Sequence, residues 1–422
     1  MKNTEYFKSK KVIIVGLARS GIACANLLYD LGAMVSITDN KDAAALRVNV
    51  DLLKSKDIKL ELGSHSEEFI KGNELMVISP GVENNAQPVL TAEKFGIPVI
   101  SEIEFAYTLC PAQIIAVTGS SGKSTVTTLI GKIIEAAGKK VFVCGNIGNP
   151  FSADVAGMKE SDFVSLEVSS FQLERIKNFK PKIALILNFA KNHLDRHKDM
   201  QEYLDAKKRI FMNQDKDNFL VLNSKDQLVK GLATEARSKA VFFSDSAEFN
   251  PNEAAVMEVG SILGIKKDLI LKVFKAFKGI EHRMEYVLEI NGVKFINDSK
   301  ATLVESTVWA LKNINNRVVL ICGGRHKGVD YGIIKSTASG KIRRVIVIGE
   351  AAQIIEKALA PEFTVEHASS LPDAVNKAYS FAEKGDSVLL SPMCSSFDMF
   401  KNYEERGRAF KSLVVELNKE KV

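Results

Sequence analysis

The sequence has few of the features that mark secreted, membrane or nucleic-acid-binding proteins. Its five cysteines are an odd number, lie far apart and form no C-x-x-C pair, so neither a disulfide framework nor a zinc site is expected. No apolar run approaches membrane-spanning length, and residues 1–11 are polar and lack a signal-peptide core. The net charge of +6 is spread along the chain without a run of five like charges. We therefore expect a cytoplasmic protein with reduced thiols, a modest suitability for small anionic substrates, and no membrane or nucleic-acid partner.

The segment that says most about function is a short turn between a strand-like run and a helix-like run. The apolar run from Ile114 ends in Gly119-Ser-Ser-Gly122, and Lys123 opens a helix-compatible run. Backbone N–H groups of such a turn and the positive end of the helix bind phosphate, lysine reaches the terminal phosphates, and a hydroxyl can ligate magnesium. The loop is shorter than a standard Walker A motif, which would have its first glycine at Val117. We predict a nucleoside triphosphate site at Gly119, Ser120, Ser121, Gly122, Lys123, Ser124 and Thr125; a turn without ligand is the alternative.

The chain is long enough for two or three domains, and its segments fall into three blocks. At 422 residues, with 46% hydrophobic and 26% charged content, it has the composition of a globular protein with more than one core. Strand-like runs alternate with helical runs, which predicts mainly parallel α/β sheets. We predict a Rossmann-like domain at 1–110, a central ATPase α/β domain of P-loop type at 111–280, and a Rossmann-like domain at 281–422.

The first block opens with a β-turn-α-β pattern typical of nucleotide-binding half-folds. Strands are predicted at 11–16 and 34–39 and a helix at 20–31. The intervening turn has two glycines, Gly16 and Gly21, instead of the three of G-x-G-x-x-G. Asp39 ends the second strand, where an acid often bonds a ribose hydroxyl. Taken alone, the pattern is weak evidence for NAD binding.

In the central block, polar side chains follow several predicted strands, where ligands of parallel sheets gather. Glu167 could hold magnesium beside Ser124, or it could be a strand-end acid that accepts backbone N–H groups. His193 and Asp195 could ligate metal or contact phosphate, although a lone histidine is more often a surface or capping residue. Lys207 lies in a basic run on a helix predicted to begin near residue 200, for which a solvated face is the default interpretation.

The third block has three polar loops at predicted strand ends. They lie at 297–302, 323–328 and 391–398, and each could be an ordinary turn. Cys394 is expected to be buried and not nucleophilic, because no His/Asp partner is evident. Two such loops opposite a phosphate site would suit a domain that closes over nucleotide.

Taken together, these segments resemble the Mur ligases of peptidoglycan synthesis. The matching segments run through all three blocks in order: Val117-Thr-Gly-Ser-Ser-Gly-Lys-Ser-Thr125, Gly145-Asn-Ile-Gly148, Glu167-Val-Ser-Ser-Phe-Gln-Leu-Glu174, His193-Leu-Asp195, Asn297-Asp-Ser-Lys-Ala-Thr302 and the run at 391–407. The last segment is typical of the D-glutamate-adding members. The resemblance implies an ATP-dependent ligase that phosphorylates the carboxylate of UDP-N-acetylmuramoyl-L-alanine (UDP-MurNAc-L-alanine) and forms an amide with D-glutamate. It also implies roles in cell-wall synthesis, cell shape and cell division, and we expect a monomer.

The resemblance also assigns residues. Lys123, Glu167, His193 and Lys207 would be catalytic, and two Mg²⁺ ions would be held by Ser124, Glu167, His193 and Lys207, the last as a carbamylated lysine. Carbamylation explains how a lysine can serve a metal site, because it replaces a cation by a carboxylate. The ATP site would gain Arg283 and Asp298. The UDP-substrate residues would be Arg19, Ser20, Asp39, Gly81 and Asn146, and the D-glutamate residues Thr302, Lys327, Ser396 and Tyr403.

The sequence departs from the family pattern at several positions. Ala190-Lys-Asn192 replaces an acidic run before the histidine, and His326 stands where many members have aspartate. A hairpin looks deleted near residues 243–250, and Glu253 falls where an ATP-contacting asparagine is usual. The alternatives are another Mur or folylpolyglutamate-type amide ligase, a dehydrogenase, which would leave Lys123 unexplained, and a nucleotide-binding homologue without activity.

Overall fold

The alternating apolar and helical runs fold into three sheets. The computed structural model describes residues 1–190, 196–326 and 328–421. The chain forms two compact units, Met1–Phe277 and Lys278–Val422, and the first unit contains two of the sheets. Within the described residues, no helix is both long and apolar enough to cross a membrane.

The first sheet is five-stranded and parallel, with the order β3-β2-β1-β4-β5. Its strands are β1 Lys11–Val15, β2 Met34–Asp39, β3 Lys59–Leu62, β4 Leu75–Ile78 and β5 Val99–Ser101. Its helices are α1 Arg19–Asp30, α2 Ala43–Val50, α3 Glu67–Ile70, α4 Gln87–Lys94 and α5 Glu102–Leu109, with a 3-10 turn at Thr4–Phe7. The strand order reverses between β1 and β4, so a crevice opens at their carboxyl ends.

The second sheet is six-stranded and parallel, with the order β11-β10-β9-β6-β8-β7. Its strands are β6 Gln113–Thr118, β7 Val141–Gly145, β8 Phe163–Glu167, β9 Ile183–Ile186, β10 Phe219–Asn223 and β11 Lys239–Phe243. Its α-helices are α6 Lys123–Ala136, α7 Phe151–Asp154, α8 Ser170–Leu173, α9 Met200–Lys208, α10 Gln227–Gly231, α11 Pro251–Ile262 and α12 Lys267–Ala276, with 3-10 turns at Val155–Gly157, Arg209–Phe211 and Leu232–Thr234. Since β6 neighbours β8, the segments that follow these two strands lie side by side.

One hydrophobic core is shared by the two sheets of the first unit. It includes Phe105 from the first sheet's layers and Phe151 and Phe179 from the second, all fully buried. The buried carboxylate of Glu104 reinforces the junction, because it accepts the backbone N–H groups of residues 177–179 at 2.7–2.9 Å. The two sheets are therefore fixed to each other by both packing and hydrogen bonds.

The third sheet forms the second unit and has the order β12-β13-β17-β14-β15-β16. Its strands are β12 Glu285–Ile290, β13 Val293–Asn297, β14 Val318–Gly323, β15 Ile342–Ile348, β16 Val365–His367 and β17 Ser387–Leu390. Its helices are α13 Val304–Asn313, α14 Lys335–Ala338, α15 Ala352–Leu359, α16 Leu371–Phe381 and α17 Tyr403–Lys421, with a 3-10 turn at Tyr331–Ile334. Among the described strands of this sheet, β12 and β13 pair antiparallel and the other pairs are parallel, and buried clusters cover both faces.

The predicted α/β class and the buried parallel strands are confirmed, whereas several edge elements were missed. Strand β4 ends at Ile78, and Pro80 and Gly81 then turn the chain. The missed strands are β3, β5, β16 and the β12–β13 pair. They are short, half-exposed or antiparallel, and so lack the continuous apolar run of a buried parallel strand. The precise limits predicted for the three domains stay predictions.

Candidate active site

The predicted phosphate loop is a strand–turn–helix, and its conformation depends on two glycines. Gly119 and Gly122 have φ values of 153° and 79°, which side chains with a Cβ rarely adopt. A loop after the neighbouring strand β9 fixes the turn from outside. The Asn188 carbonyl and side-chain oxygens accept the N–H groups of Ser120 and Ser121 at 3.1 and 2.9 Å. The turn is thus held open in front of the α6 N-terminus, where backbone N–H groups can receive an anion.

Two lysine ammonium groups meet at one carbonyl oxygen of this loop. Lys123 Nζ and Lys207 Nζ each donate to the Gly119 oxygen at 2.9 Å. Lys123 also donates to the Ser120 carbonyl oxygen at 3.3 Å, so its side chain folds back on the loop and is half-buried. Two like charges at one oxygen repel each other, and the repulsion falls when a phosphate binds or one lysine loses its charge.

The environment of Lys207 contradicts the interpretation of a solvated basic face. Its side chain is 1% exposed, packs with Nζ 4.5 Å from the centre of the Tyr203 ring, and makes no ion pair with a carboxylate among the described residues. Burial, with a smaller contribution from Lys123, lowers its pKa well below the usual lysine value. Its neighbour Lys208 does have solvated ion pairs, with Asp205 and Glu235, so the basic run contains two different environments.

Glu167 ends strand β8 beside the phosphate loop, and its carboxylate is only partly satisfied. Oε1 accepts the side-chain N–H of Asn146 at 2.7 Å, while Oε2 is buried and has no hydrogen-bond partner among the described residues. This differs from the alternative of an acid bonded to backbone N–H groups. An unsatisfied buried carboxylate oxygen near the hydroxyl-bearing first turn of α6 suits Mg²⁺, which prefers oxygen ligands. Ser124, which is 4% exposed, lies in that turn.

The segment that was predicted to supply further metal ligands is described only in part. His193 and Asp195 lie outside the described residues. His197 is described and is structural: its Nε2 lies 2.9 Å from Ser170 Oγ and its ring stacks on Phe171 with centroids 5.3 Å apart. It is 2% exposed.

The crevice of the first sheet is a cavity of about 560 Å³ at the carboxyl ends of β1 and β4. The predicted residues Arg19, Ser20, Asp39 and Gly81 all line it. Asp39 Oδ2 accepts the Leu17 N–H at 2.7 Å and thereby shapes the turn after β1. Lys41 and His65 also line the cavity, and sequence reasoning did not assign them to it. Burial lowers the pKa of His65, with Asp39 acting in the opposite direction; only their position in loops after strands could have suggested them.

Hydrogen bonds connect this cavity to the second sheet. Arg19 Nη2 donates to the Gly148 carbonyl oxygen at 2.7 Å. Gly148 belongs to the loop after β7 that also carries Asn146, the partner of Glu167. Asn146 itself does not line the cavity. A molecule that filled the cavity and extended along this loop would end near Glu167.

In the second unit, one arginine joins three of the predicted segments. Arg406 donates to the Ser299 carbonyl oxygen at 2.9 Å and to the Cys394 carbonyl oxygen at 3.3 Å, and it lies on α17, which begins at Tyr403. It therefore brings together the segments that carry Thr302, Ser396 and Tyr403. Burial lowers its pKa to about 10. Sequence reasoning missed this residue, since an arginine in a surface-like helical run gives no signal of burial.

The two predicted ATP contacts of the second unit lie close together there. Asp298 accepts the Met284 N–H at 3.1 Å and the Ser391 hydroxyl at 3.0 Å, and Met284 directly follows Arg283. Burial raises the Asp298 pKa to about 7, which the positive charge of Arg283 partly opposes. Lys327, predicted for D-glutamate, lies outside the described residues.

Comparison with known proteins decides the family. Models of three domains match the chain in order: the MurD-like N-terminal domain at 10–101, the Mur ligase middle domain at 117–286, and the Mur ligase glutamate ligase domain at 282–394. A UDP-N-acetylmuramoylalanine–D-glutamate ligase of Caldanaerobacter subterraneus subsp. tengcongensis is 40% identical over 98% of this chain and 99% of its own. The ligase of the same name from Thermoanaerobacter pseudethanolicus is 41% identical over 98% and 99%. The chain belongs to the Mur ligase family.

As a Mur ligase, the chain is an ATP-dependent amide ligase with the three-domain fold of that family. The solved structure of the UDP-N-acetylmuramate-alanine ligase MurC from Thermotoga maritima has a similar fold. It aligns with a TM-score of 0.56 at 18% identity and covers 97% of this chain and 100% of its own.

Two of the departures from the Mur ligase pattern, Glu253 and His326, make local hydrogen bonds, whereas residues 191 and 192 lie outside the described residues. Glu253 caps its own helix, because its Oε2 accepts the Asn250 N–H at 3.0 Å while the Asn250 side chain accepts the Glu253 N–H. The preceding residue, Asn252, faces the phosphate loop: a Cβ added to Gly122 would lie 2.5 Å from its Oδ1. His326 Nδ1 lies 3.0 Å from the Tyr331 hydroxyl, which contacts Cys394 Sγ at 3.1 Å. Cys394 is buried, as expected.

Proposed function

We propose that this Mur ligase joins D-glutamate to UDP-MurNAc-L-alanine at the expense of ATP, in the synthesis of peptidoglycan precursors. The observation that carries the proposal is the match, over nearly the whole of both chains, to ligases whose names state that reaction. The arrangement of the first unit agrees with it, since a cavity for a nucleotide-like group is connected to a phosphate loop through Arg19, Gly148 and Asn146.

The substrate would span the two sheets of the first unit. Its uridine diphosphate would occupy the cavity at Arg19, Ser20, Asp39 and Gly81, with its pyrophosphate at the turn after β1. The sugar and lactyl-alanine portion would follow the loop after β7 past Asn146. The alanine carboxylate would then lie near Glu167 and the phosphate loop, where ATP binds.

The first chemical step transfers the γ-phosphoryl group of ATP to this carboxylate. A carboxylate oxygen forms a bond to the γ-phosphorus, the bond to the β,γ-bridging oxygen breaks, and ADP leaves with the negative charge. Such a transfer requires alignment and charge neutralisation more than a protein nucleophile. The 119–125 loop would align the phosphates, and Lys123 would exchange its loop carbonyl partners for phosphate oxygens.

The second step forms the amide. The neutral amine of D-glutamate attacks the carbonyl carbon of the acyl phosphate, a tetrahedral intermediate forms, and inorganic phosphate leaves as the amine loses a proton. Thr302, Lys327, Ser396 and Tyr403 would bind D-glutamate in the second unit. Arg283 and Asp298 would contact ATP. Arg406 orders the segments that carry Thr302, Ser396 and Tyr403.

Two Mg²⁺ ions would neutralise the charge that develops on the transferring phosphoryl group. Ser124 and Glu167 would hold the first, which agrees with the buried Glu167 Oε2, for which the described part of the chain offers no hydrogen-bond partner. His193 and Lys207 would hold the second. An ammonium group cannot ligate a cation, but burial lowers the pKa of Lys207 and so raises the share of the neutral amine. The neutral amine adds to CO₂, giving a carbamate and one proton. The carbamate supplies the carboxylate-type oxygens that Mg²⁺ prefers.

We further propose that the enzyme acts in the cytoplasm as a monomer, without nucleic-acid or membrane partners. The small-molecule substrates and the dispersed charge of +6 support this assignment. Size-exclusion chromatography with light scattering measures the molar mass in solution and thereby tests whether the protein is a monomer.

Phosphate release with different amino acids tests the proposed reaction. With ATP, Mg²⁺ and UDP-MurNAc-L-alanine, release should require D-glutamate, whereas L-glutamate, L-lysine and meso-diaminopimelate should give little. Equal turnover with L-glutamate would refute the substrate assignment, and preference for another amino acid would favour a different Mur-type ligase. The absence of any amino-acid-dependent release would favour a nucleotide-binding protein without ligase activity.

A further inference from the structure

A loop that lines the cavity of the first sheet is held from outside by a residue of the second sheet's loops. The loop at 79–83 lines the cavity directly after strand β4. Its first end is tied to the β1 turn, because Ser79 Oγ donates to the Gly16 carbonyl oxygen at 3.1 Å. On its outer side, Arg196 Nη1 donates to the Pro80 carbonyl oxygen at 3.3 Å and Nη2 to that of Val82 at 2.7 Å. The guanidinium fork thus fixes the peptide on either side of Gly81.

The guanidinium group itself is fixed on its other sides. It packs over the Phe171 ring at 4.5 Å, and its Nη2 lies 3.7 Å from Glu174 Oε2. The same carboxylate oxygen accepts the side-chain N–H of Asn84 at 2.7 Å. The Arg196 side chain is 12% exposed, so solvent screens these contacts only weakly. Arg196 is therefore held by residues of the ATP-binding sheet and places the cavity loop relative to them.

We propose that Arg196 is a positioning residue for the sugar-nucleotide substrate: it sets the 79–83 loop of the cavity from the side of the ATP-binding sheet. The inference rests on the proposed function for the nature of the ligand. A lysine has the same charge but cannot reach two carbonyl oxygens with a rigid planar fork, so the geometry requires arginine. Loss of the fork frees the loop around Gly81, and binding must then order it again.

The chain offers a matched control. Arg175 also joins the two sheets of the first unit, through Asn84 Oδ1 at 2.5 Å and Glu93 Oε1 at 2.7 Å, and its described hydrogen bonds do not include the backbone carbonyls of residues 80–82. Arg175→Lys therefore reports the effect of loosening the junction, including the contact to Asn84, while both Arg196 hydrogen bonds to the cavity loop are kept.

Calorimetric titration of UDP-MurNAc-L-alanine into the full-length protein tests the inference. Arg196→Lys should raise the dissociation constant about tenfold, the size expected for loss of hydrogen bonds from a charged donor. The KM for ATP should change less than about twofold, and Arg175→Lys should bind the sugar nucleotide within about twofold of wild type. Arg196→Gln retains hydrogen-bond donors on a shorter, uncharged side chain and should weaken binding to a similar degree. It replaces the lysine variant in the titration if that variant unfolds below the assay temperature.

The outcomes separate this inference from the proposed function. Wild-type affinity in a folded Arg196 variant would overturn the inference alone. Equal weakening by Arg175→Lys, or a parallel rise in the KM for ATP, would also overturn it, because both indicate general loosening of the junction. A wild-type protein that does not bind UDP-MurNAc-L-alanine would instead refute the proposed function, and the inference with it.

Discussion

At the residue scale, the main electrostatic feature of the site is that Lys123 and Lys207 donate to the same Gly119 carbonyl oxygen, which brings two positive charges together. Two ammonium groups at one oxygen are unfavourable, and Lys207 lies in a buried position without an acidic partner among the described residues. A carbamate on Lys207 would turn this repulsion into attraction and would also provide ligand oxygens for a cation.

Substitution of the two adjacent lysines of α9 tests this account. Lys207→Ala should lower turnover about 1000-fold, and short carboxylates such as acetate should restore part of it. Lys208→Ala should stay within about twofold of wild type, because its ion pairs with Asp205 and Glu235 are solvated. The measurement is steady-state phosphate release at saturating substrates. If neither variant is slower, the modified lysine is excluded, and Asp195 becomes the next ligand to test.

The sequence predicted a residue's role correctly where the residue type itself determines the conformation, as glycine does. It failed where the role depends on whether the side chain is buried. Gly119 and Gly122 were predicted in a phosphate loop, and both have the positive φ that such a turn requires. The residue pattern taken alone favoured a solvated face for Lys207, because helical position does not reveal what packs on it, whereas the family resemblance assigned it to the metal site. Its burial became visible only in the structure. Arg196 and Arg406 were missed for the same reason.

At the element scale, the strand–loop–helix from β6 to α6 is a preformed phosphate cradle. Its shape comes from the two glycines and from the hydrogen bonds that Asn188 accepts from Ser120 and Ser121, so Lys123 is not needed to form it. Lys123 is half-buried and bonded to the loop carbonyls, which makes its removal slightly more costly to the fold than removal of an exposed lysine would be.

Lys123→Ala should therefore abolish most activity and leave the fold in place. Turnover should fall about 1000-fold or more, since the cation acts on the transferring phosphoryl group. The thermal midpoint without nucleotide should decrease only slightly. Lys132→Ala, an exposed position on the same helix, is the control and should match wild type in both measurements. Near-normal turnover of the Lys123 variant would show that this loop is not the reaction site.

Element prediction was accurate for strands with buried apolar side chains and poor for several short or half-exposed strands. Strand β2 at Met34–Asp39 has the predicted limits, because its buried side chains Val35 and Ile37 lie between two turns. Strand β3, Lys59–Leu62, alternates polar and apolar side chains over four residues and was not recognised. Such a short segment becomes a strand only through pairing with β2, which sequence does not encode locally.

At the scale of the whole molecule, the sheets of the first unit form one body that can bind a long substrate. The shared core and the Glu104 hydrogen bonds fix the cavity of the first sheet relative to the phosphate loop of the second. Hydrogen bonds through Arg19, and the Arg196 contacts to the cavity loop, cross the same junction. The order of the two sheets was predictable from motif order, but these contacts across them were not.

The central claim is that the alanine carboxylate of the sugar nucleotide is activated by ATP before D-glutamate attacks it. Isotope transfer measures this step directly. UDP-MurNAc-L-alanine with ¹⁸O in both carboxylate oxygens is incubated with ATP, Mg²⁺ and D-glutamate, and the released phosphate is analysed by mass spectrometry. The account predicts that each phosphate carries one ¹⁸O atom and that the new amide retains the other. Phosphate without ¹⁸O alongside amide product would contradict an acyl-phosphate route, and the absence of amide product would contradict the assigned reaction itself.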